Sequence, residues 1–223
     1  MKILLTNPAI PFLLSAVISL SCGPKQAMMT HRNHSFENMD FYVKNFENPA
    51  RLKWQKPDEV VRAMSLKNGD IVADIGAGTG YFARRIALAV APRGSITGYD
   101  TEIKMVEYMR EDARRLGYTN YHAEPVPREN PSLPAGRFDV IFMCNTYHHI
   151  ENRVAYLKSV RPSLKKTGRF VLIDARMEAK DGPPKRFRIP RDIIEAEFKE
   201  AGFVTTKYLD FLPDQYYLEF SMP

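Results

Sequence analysis

Asp70 to Phe82 reads DIVADIGAGTGYF: an apolar run, one aspartate inside it, then Gly76, Gly78 and Gly80 at alternate positions. A short apolar run bounded by glycines is the pattern of a strand covered on both faces. The following YFARRIALAVA carries apolar residues at helical spacing before the breaker Pro92-Arg93-Gly94. Strand, glycine turn and helix in this order predict an α/β protein with a ligand at the turn.

The same alternation extends on both sides of the turn. Upstream, KPDEVVRAMSLKNGD places Pro57 at a first helical position, acidic residues in the first turn and a Gly-Asp exit. Downstream, SITGYD predicts a second strand, IKMVEYMREDARRLG a helix stopped by Gly117, and NYHAEPV a third strand. RFDVIFMCN predicts a fourth strand, RVAYLKSVRPSLKKTG a helix stopped at Gly168, RFVLIDA a fifth strand and PRDIIEAEFKEAG a last helix. FVTTKYLDFL and QYYLEF close the sheet as an antiparallel hairpin. The expectation is a doubly wound, seven-stranded, mostly parallel sheet with right-handed crossovers over residues 57–223. Ligands of such sheets bind beyond the carboxyl ends of the strands, so the residues that follow each strand are the candidates.

The glycine spacing restricts the ligand. A dinucleotide fingerprint, G-x-G-x-x-G, needs glycine where Tyr81 stands. A bulky ring there, and a carboxylate at Asp74 that repels phosphate, disfavour a pyrophosphate. Asp74 suits an ammonium group instead, met directly or through water. Asp100 ends the second strand about 20 residues beyond the turn, where a carboxylate accepts hydrogen bonds from both ribose hydroxyls. The ligand expected is a nucleoside with a cationic amino-acid tail.

On these residues, VADIGAGTG and GYD within alternating strands and helices, the chain resembles the class I S-adenosylmethionine-dependent methyltransferases over roughly Pro57 to Phe220. The resemblance implies a Rossmann-like methyltransferase fold and S-adenosyl-L-methionine as cofactor. It also implies that Asp74, Gly76 and Gly78 contact the methionine portion and Asp100 the ribose. Ala77, Gly80 and Asn145 complete the cofactor-binding positions. Glu129, in PRENPSLP, matches the loop whose acid meets the adenine amino group, with Glu124 as its competitor. More narrowly, ENPARLKWQKPDEV, NTYHHI and DFLPDQYYLEF look like a bacterial group of small methyltransferases that carry leader peptides.

NTYHHI, Asn145 to Ile150, follows the fourth strand and is expected beside the reacting centre. Methyl transfer depends on in-line positioning and exclusion of water. A base is required only when the acceptor binds protonated, and His148 or His149 titrates in the useful range. Adjacent residues point in different directions, so one of the two histidines is expected to face the acceptor. Packing against the cofactor or the next helix is the alternative for both. Tyr147 is either an aromatic face for a cation or a packed ring. Phe41, Tyr42, Phe46 and Trp54 read as local core, with a lid as the alternative. Asp174, Arg176 and Arg188 read as surface ion-pair members, although Arg188 suits an acidic acceptor.

At 223 residues with 44% hydrophobic content, the chain suits one domain and a short extension. The net charge of +6 comes from scattered basic residues without a continuous stripe or interleaved stacking aromatics, which argues against a nucleic-acid partner. Two cysteines, Cys22 and Cys144, make neither a zinc cluster nor a disulfide framework. Residues 1–22 hold Lys2, an apolar run and Cys22, followed by Gly23-Pro24, which reads as an export signal and resembles a bacterial lipoprotein leader. The expected location is therefore membrane-associated through Cys22. The alternatives are an uncleaved anchor facing inward, or a start at Met28 or Met29, which would make the protein cytoplasmic. Residues 23–56 read as a helical extension or lid.

Two functions from different classes follow. One is a methyltransferase acting on a small-molecule or lipid-like acceptor, with attachment to a membrane through the N-terminus. The other is a non-catalytic cofactor-binding domain serving as an envelope lipoprotein, since S-adenosylmethionine is made in the cytoplasm. The sequence leaves the acceptor and the oligomeric state open.

Overall fold

A computed structural model of the protein describes residues 39–223; the leader, Cys22 and the alternative starts at Met28 and Met29 lie outside the described residues. Two short helices, α1 (Met39–Phe46) and α2 (Arg51–Trp54), precede α3 (Pro57–Ala63). Then come β1 (Ile71–Ile75), α4 (Ala83–Val90), β2 (Ser95–Asp100), α5 (Ile103–Leu116), β3 (Tyr121–Pro125) and β4 (Phe138–Cys144). The chain continues through α6 (Arg153–Val160), β5 (Leu164–Ala175), α7 (Arg191–Glu200), β6 (Val204–Leu209) and β7 (Gln215–Ser221). Among the described residues no helix is long and apolar enough to cross a membrane.

The seven strands form one sheet in the order β3-β2-β1-β4-β5-β7-β6. The first five are parallel, and β7 runs antiparallel between β5 and β6. Strand alternation sorts the core into two layers. Val72, Val140, Phe142, Val171 and Ile173 face the layer built with α3, α4 and α5. Ala73, Ile141, Met143, Phe170 and Leu172 face the layer built with α6 and α7. Both faces are covered, which is why these strands read as continuous apolar runs.

Local chemistry accounts for the helices. In α4 the buried residues Ala83, Ile86, Ala87 and Val90 form one stripe, and in α5 Gly117 caps the helix in the left-handed region at φ 70°. One element departs from expectation. The helix expected to run to Gly168 ends at Val160, and Leu164 already opens β5. Pro162 has no N–H with which to continue a helix. Lys165 to Gly168, which read as a basic helix end with its glycine stop, form an irregularity in β5: Phe138 pairs with Leu164 and Val140 with Arg169.

Candidate active site

The carboxyl ends of β1 and β4 lie side by side at the middle of the sheet, where the strand order reverses, and the glycine turn crosses them. The turn is tied down by its backbone: the N–H groups of Gly76 and Ala77 donate to the Tyr99 carbonyl at 2.8 and 3.1 Å, and that of Gly80 to Ala77 at 2.9 Å. Gly76 and Gly78 have φ of 71° and 57°, a region where a Cβ is strained. A Cβ on Gly76 would also collide with the Thr146 side chain, and one on Gly78 would lie 3.3 Å from the Phe46 ring.

Two carboxylates flank the turn. Asp100, the last residue of β2, accepts from the Gly78 N–H at 2.8 Å and the Glu102 N–H at 3.0 Å. Burial raises its pKa, and these hydrogen bonds oppose the rise. Each oxygen keeps a lone pair for a ligand hydroxyl. Asp74 is 3% exposed, and no described side chain or N–H donates a hydrogen bond to its carboxylate. Burial first, and the neighbouring Asp100 second, push its pKa up to about 8, while Arg51 opposes the shift.

A strap formed by α1 and α2 lies over the turn. The Phe46 ring approaches Gly78. Glu47 accepts from the Thr79 hydroxyl and from both Nη atoms of Arg84, at 2.9 and 2.8 Å. Arg84 also pairs with buried Asp112 at 3.0 Å. Arg51 stacks 3.8 Å above the Tyr81 ring, and its Nε–H donates to Gln55 at 2.6 Å. Gln55 is fully buried; its Nε2 donates to Cys144 Sγ at 3.1 Å and to Gln215 Oε1 at 3.3 Å. No residue of α1 or α2 is buried, so Phe41, Tyr42, Phe46 and Trp54 are not a local core. Phe46 sits where a lid would.

After β4, Asn145 has φ 56°, and its Oδ1 accepts from Gln215 Nε2 at 2.6 Å. Tyr147 is fully buried: its hydroxyl donates to Glu197 at 2.7 Å and its ring packs 5.6 Å from Phe198. Its ring is enclosed in the layer beneath α7, which is the packed-ring alternative. His148 Nδ1 lies 2.7 Å from Asp174 Oδ1, and its backbone N–H donates to Asp174 Oδ2 at 3.1 Å. The His149 ring lies 4.2 Å from that of His148. Glu129 is exposed, on a loop whose Val126 N–H bonds the Asp100 carbonyl at 3.0 Å and whose Arg128 favours the ionised Asp100 carboxylate. Glu124, also exposed, lies at the end of β3 near Tyr99.

Three residues read as surface ion-pair members divide. Arg176 does pair with exposed Asp210. Asp174 does not: it is 3% exposed and serves His148. Arg188 donates to the carbonyls of Pro183, Met177 and Ala179, which hold the loop after β5, and forms no ion pair among the described residues. Sequence reasoning missed Glu47, Arg51, Gln55, Thr146 and Gln215 as residues of the site. Nothing local distinguishes them from other polar residues.

A family model described as a methyltransferase domain matches residues 66–206, the whole span from the end of α3 to β6. The chain belongs to this methyltransferase-domain family. It is 33% identical over 104 residues to the uncharacterized methyltransferase YcgJ of Bacillus subtilis, covering 46% of this chain and 40% of that protein. It is 36% identical over 84 residues to a protein-L-isoaspartate O-methyltransferase of Ignicoccus hospitalis, covering 38% and 40%. The matches thus span about two fifths of these curated relatives. Among solved structures, a SAM-dependent methyltransferase from Aquifex aeolicus superposes with a TM-score of 0.76 at 23% identity, covering 80% of this chain and 95% of that one. That likeness establishes the fold of this methyltransferase-domain protein.

Proposed function

We propose that the protein is a class I S-adenosylmethionine-dependent methyltransferase acting on a small-molecule or lipid-like acceptor. The observation that carries this reading is the bare, buried carboxylate of Asp74 beside the glycine turn, with Asp100 across it. The cradle suits the cofactor. Its glycines leave no room for a Cβ on the Thr146 side. Asp74 offers a carboxylate that burial makes costly to ionise until a cation arrives, and Asp100, held to the turn by the Gly78 N–H, offers its remaining lone pairs to hydroxyls. In this reading Asp74, Gly76, Ala77, Gly78, Gly80 and Asn145 line the methionine end, Asp100 holds the ribose and Glu129 borders the adenine.

When bound, the cofactor supplies an electrophilic methyl carbon on a sulfonium. The chain's contribution is orientation and exclusion of water. Asp174 accepts at Nδ1 of His148, which fixes the tautomer with its lone pair on Nε2. That nitrogen is the group we assign to take a proton from a protonated acceptor, with the His149 ring tilted by 42° beside it. The leader reading and the likeness to small methyltransferases with leader peptides extend the proposal to attachment at a membrane. Cell fractionation with a mass measurement of the mature N-terminus tests that part.

Calorimetric titration of S-adenosylmethionine and S-adenosylhomocysteine into the chain tests the cofactor reading. Saturable binding, weakened at least about tenfold by Asp100→Ala, is expected. A folded chain that binds neither overturns the reading.

A further inference from the structure

The loop from β5 to α7 concentrates positive charge beside the site. Gly182 to Arg191 reads GPPKRFRIPR, which holds four cations and no carboxylate, with Asp181 and Asp192 at its two ends. A Cβ on Gly182 would lie 3.7 Å from that of Ala175, the last residue of β5 and the neighbour of Asp174. The loop therefore folds back over the strand end whose carboxylate holds His148.

The loop is anchored from within. Ile189 is buried in the layer shared with α6 and α7, and Arg188 donates to the carbonyls of Met177, Ala179 and Pro183. Arg191 lies over the Tyr208 ring at 4.5 Å. Lys185 and Arg186 have no such task. Both are exposed, and neither forms an ion pair among the described residues. Ile193, in the first turn of α7, adds an apolar side chain that is 43% exposed.

This arrangement discriminates among anionic partners. Lys185 and Arg186 are consecutive in a single 3₁₀ turn, Lys185–Phe187, where successive side chains diverge by about 120°. Diverging cations do not converge on one small phosphate or carboxylate; they suit a partner whose charges are spread out. A nucleic acid calls for stacking aromatics, and the one ring in this stretch is half-buried with Arg186 over it at 4.5 Å. A bilayer calls for cations flanked by exposed aliphatic side chains, which Ile193 supplies.

We infer that residues 182–193 dock the chain on an anionic lipid surface, with the carboxyl ends of the strands toward the bilayer. The inference rests, for its purpose, on the lipid-like acceptor proposed above, and names the surface from which that acceptor is drawn. Each cation near an anionic leaflet strengthens attachment roughly fivefold, so Lys185 and Arg186 together contribute about 30-fold. Salt weakens the attachment.

Amide hydrogen exchange of the full chain is followed with vesicles of phosphatidylcholine alone and of phosphatidylcholine with phosphatidylglycerol. Exchange over residues 182–193 slows on the anionic vesicles, not on the neutral ones, and recovers as salt is raised. Sedimentation with the anionic vesicles shows binding weakened about 30-fold by Lys185→Gln with Arg186→Gln. Lys67→Gln with Lys166→Gln, two exposed lysines near the amino ends of β1 and β5, removes the same charge and weakens binding less than about threefold. Residues 1–38 are common to all these chains, so their own affinity for lipid cancels in the comparison. Slowing on both kinds of vesicle, or on neither, overturns the inference. So does equal weakening by the two double variants, which marks net charge alone. Slowing produced by inorganic phosphate or by a single-stranded oligonucleotide without vesicles overturns it in favour of a discrete anion site or a nucleic-acid partner. Should the Lys185 and Arg186 variant fail to fold, the salt series on the native chain still decides. Titration of S-adenosylhomocysteine without vesicles does not depend on any of these outcomes, so failure of the docking and failure of the cofactor reading are told apart.

Discussion

Asp74 and Asp174 occupy equivalent places, the penultimate residues of β1 and β5, and both are 3% exposed. Their surroundings differ. Asp174 receives the His148 backbone N–H, approaches the His148 ring at 2.7 Å and caps the Ala175 N–H at 2.7 Å. Asp74 has only Coulombic neighbours, one of them repulsive, and its pKa rises to about 8. A buried carboxylate with its donors in place is part of the finished architecture. One without them costs folding energy that a cationic ligand can return.

The largest effect that tests this contrast is on stability. Asp174→Ala strips the acceptor from buried N–H groups and is expected to cost about 2–4 kcal/mol in urea denaturation. A loss below about 1 kcal/mol would erase the distinction. Asp74→Asn is expected to act in the opposite direction, gaining about 1–2 kcal/mol at pH 8.5 while weakening S-adenosylhomocysteine at least about tenfold. Urea melts at pH 5, 6.5 and 8 sharpen the same point. The unfolded Asp74 carboxyl titrates near 4 and the folded one at about 8, so across that window the folded chain holds a proton that the unfolded chain has released. Stability therefore falls as pH rises from about 4 to about 8 and levels off above. Asp74→Asn makes that slope shallower, leaving the share from Asp100, whose pKa is also raised. The smallest effect is the control: Asp58 is 70% exposed in its 3.0 Å pair with Arg85, and Asp58→Ala is expected to change stability by less than about 0.5 kcal/mol.

What was legible in the sequence follows from how local the cause is. The turn, Asp74 and Asp100 are read from spacing, because one strand, one tight turn and the next strand place them together. The parallel strands are legible because both faces are covered. Lys165 to Gly168 misled, since basic residues before a glycine mark a helix end, whereas Pro162 had already ended α6. The pairing of His148 with Asp174 spans 26 residues and the contact of Gln55 with Cys144 spans 89. Such contacts arise from the order in which strands are laid into the sheet, and no periodicity within one segment encodes them. Tyr147 illustrates the limit most directly: its neighbours in sequence suggest a reactive loop, and its burial against Phe198 comes from α7.

The order of the last strands bears on how the chain is made. Synthesis delivers β6 before β7, yet β6 has its place in the sheet only through β7, which lies between it and β5. On the ribosome, where chains lengthen at about 5–20 residues per second, the nascent domain spends seconds with the outer edge of β5 open and β6 without a seat. An open edge carrying Phe170 to Ile173 is a template for pairing with another chain. Premature termination between β6 and β7 would therefore release a species prone to aggregation, with the glycine turn already built and the sheet beside it unclosed.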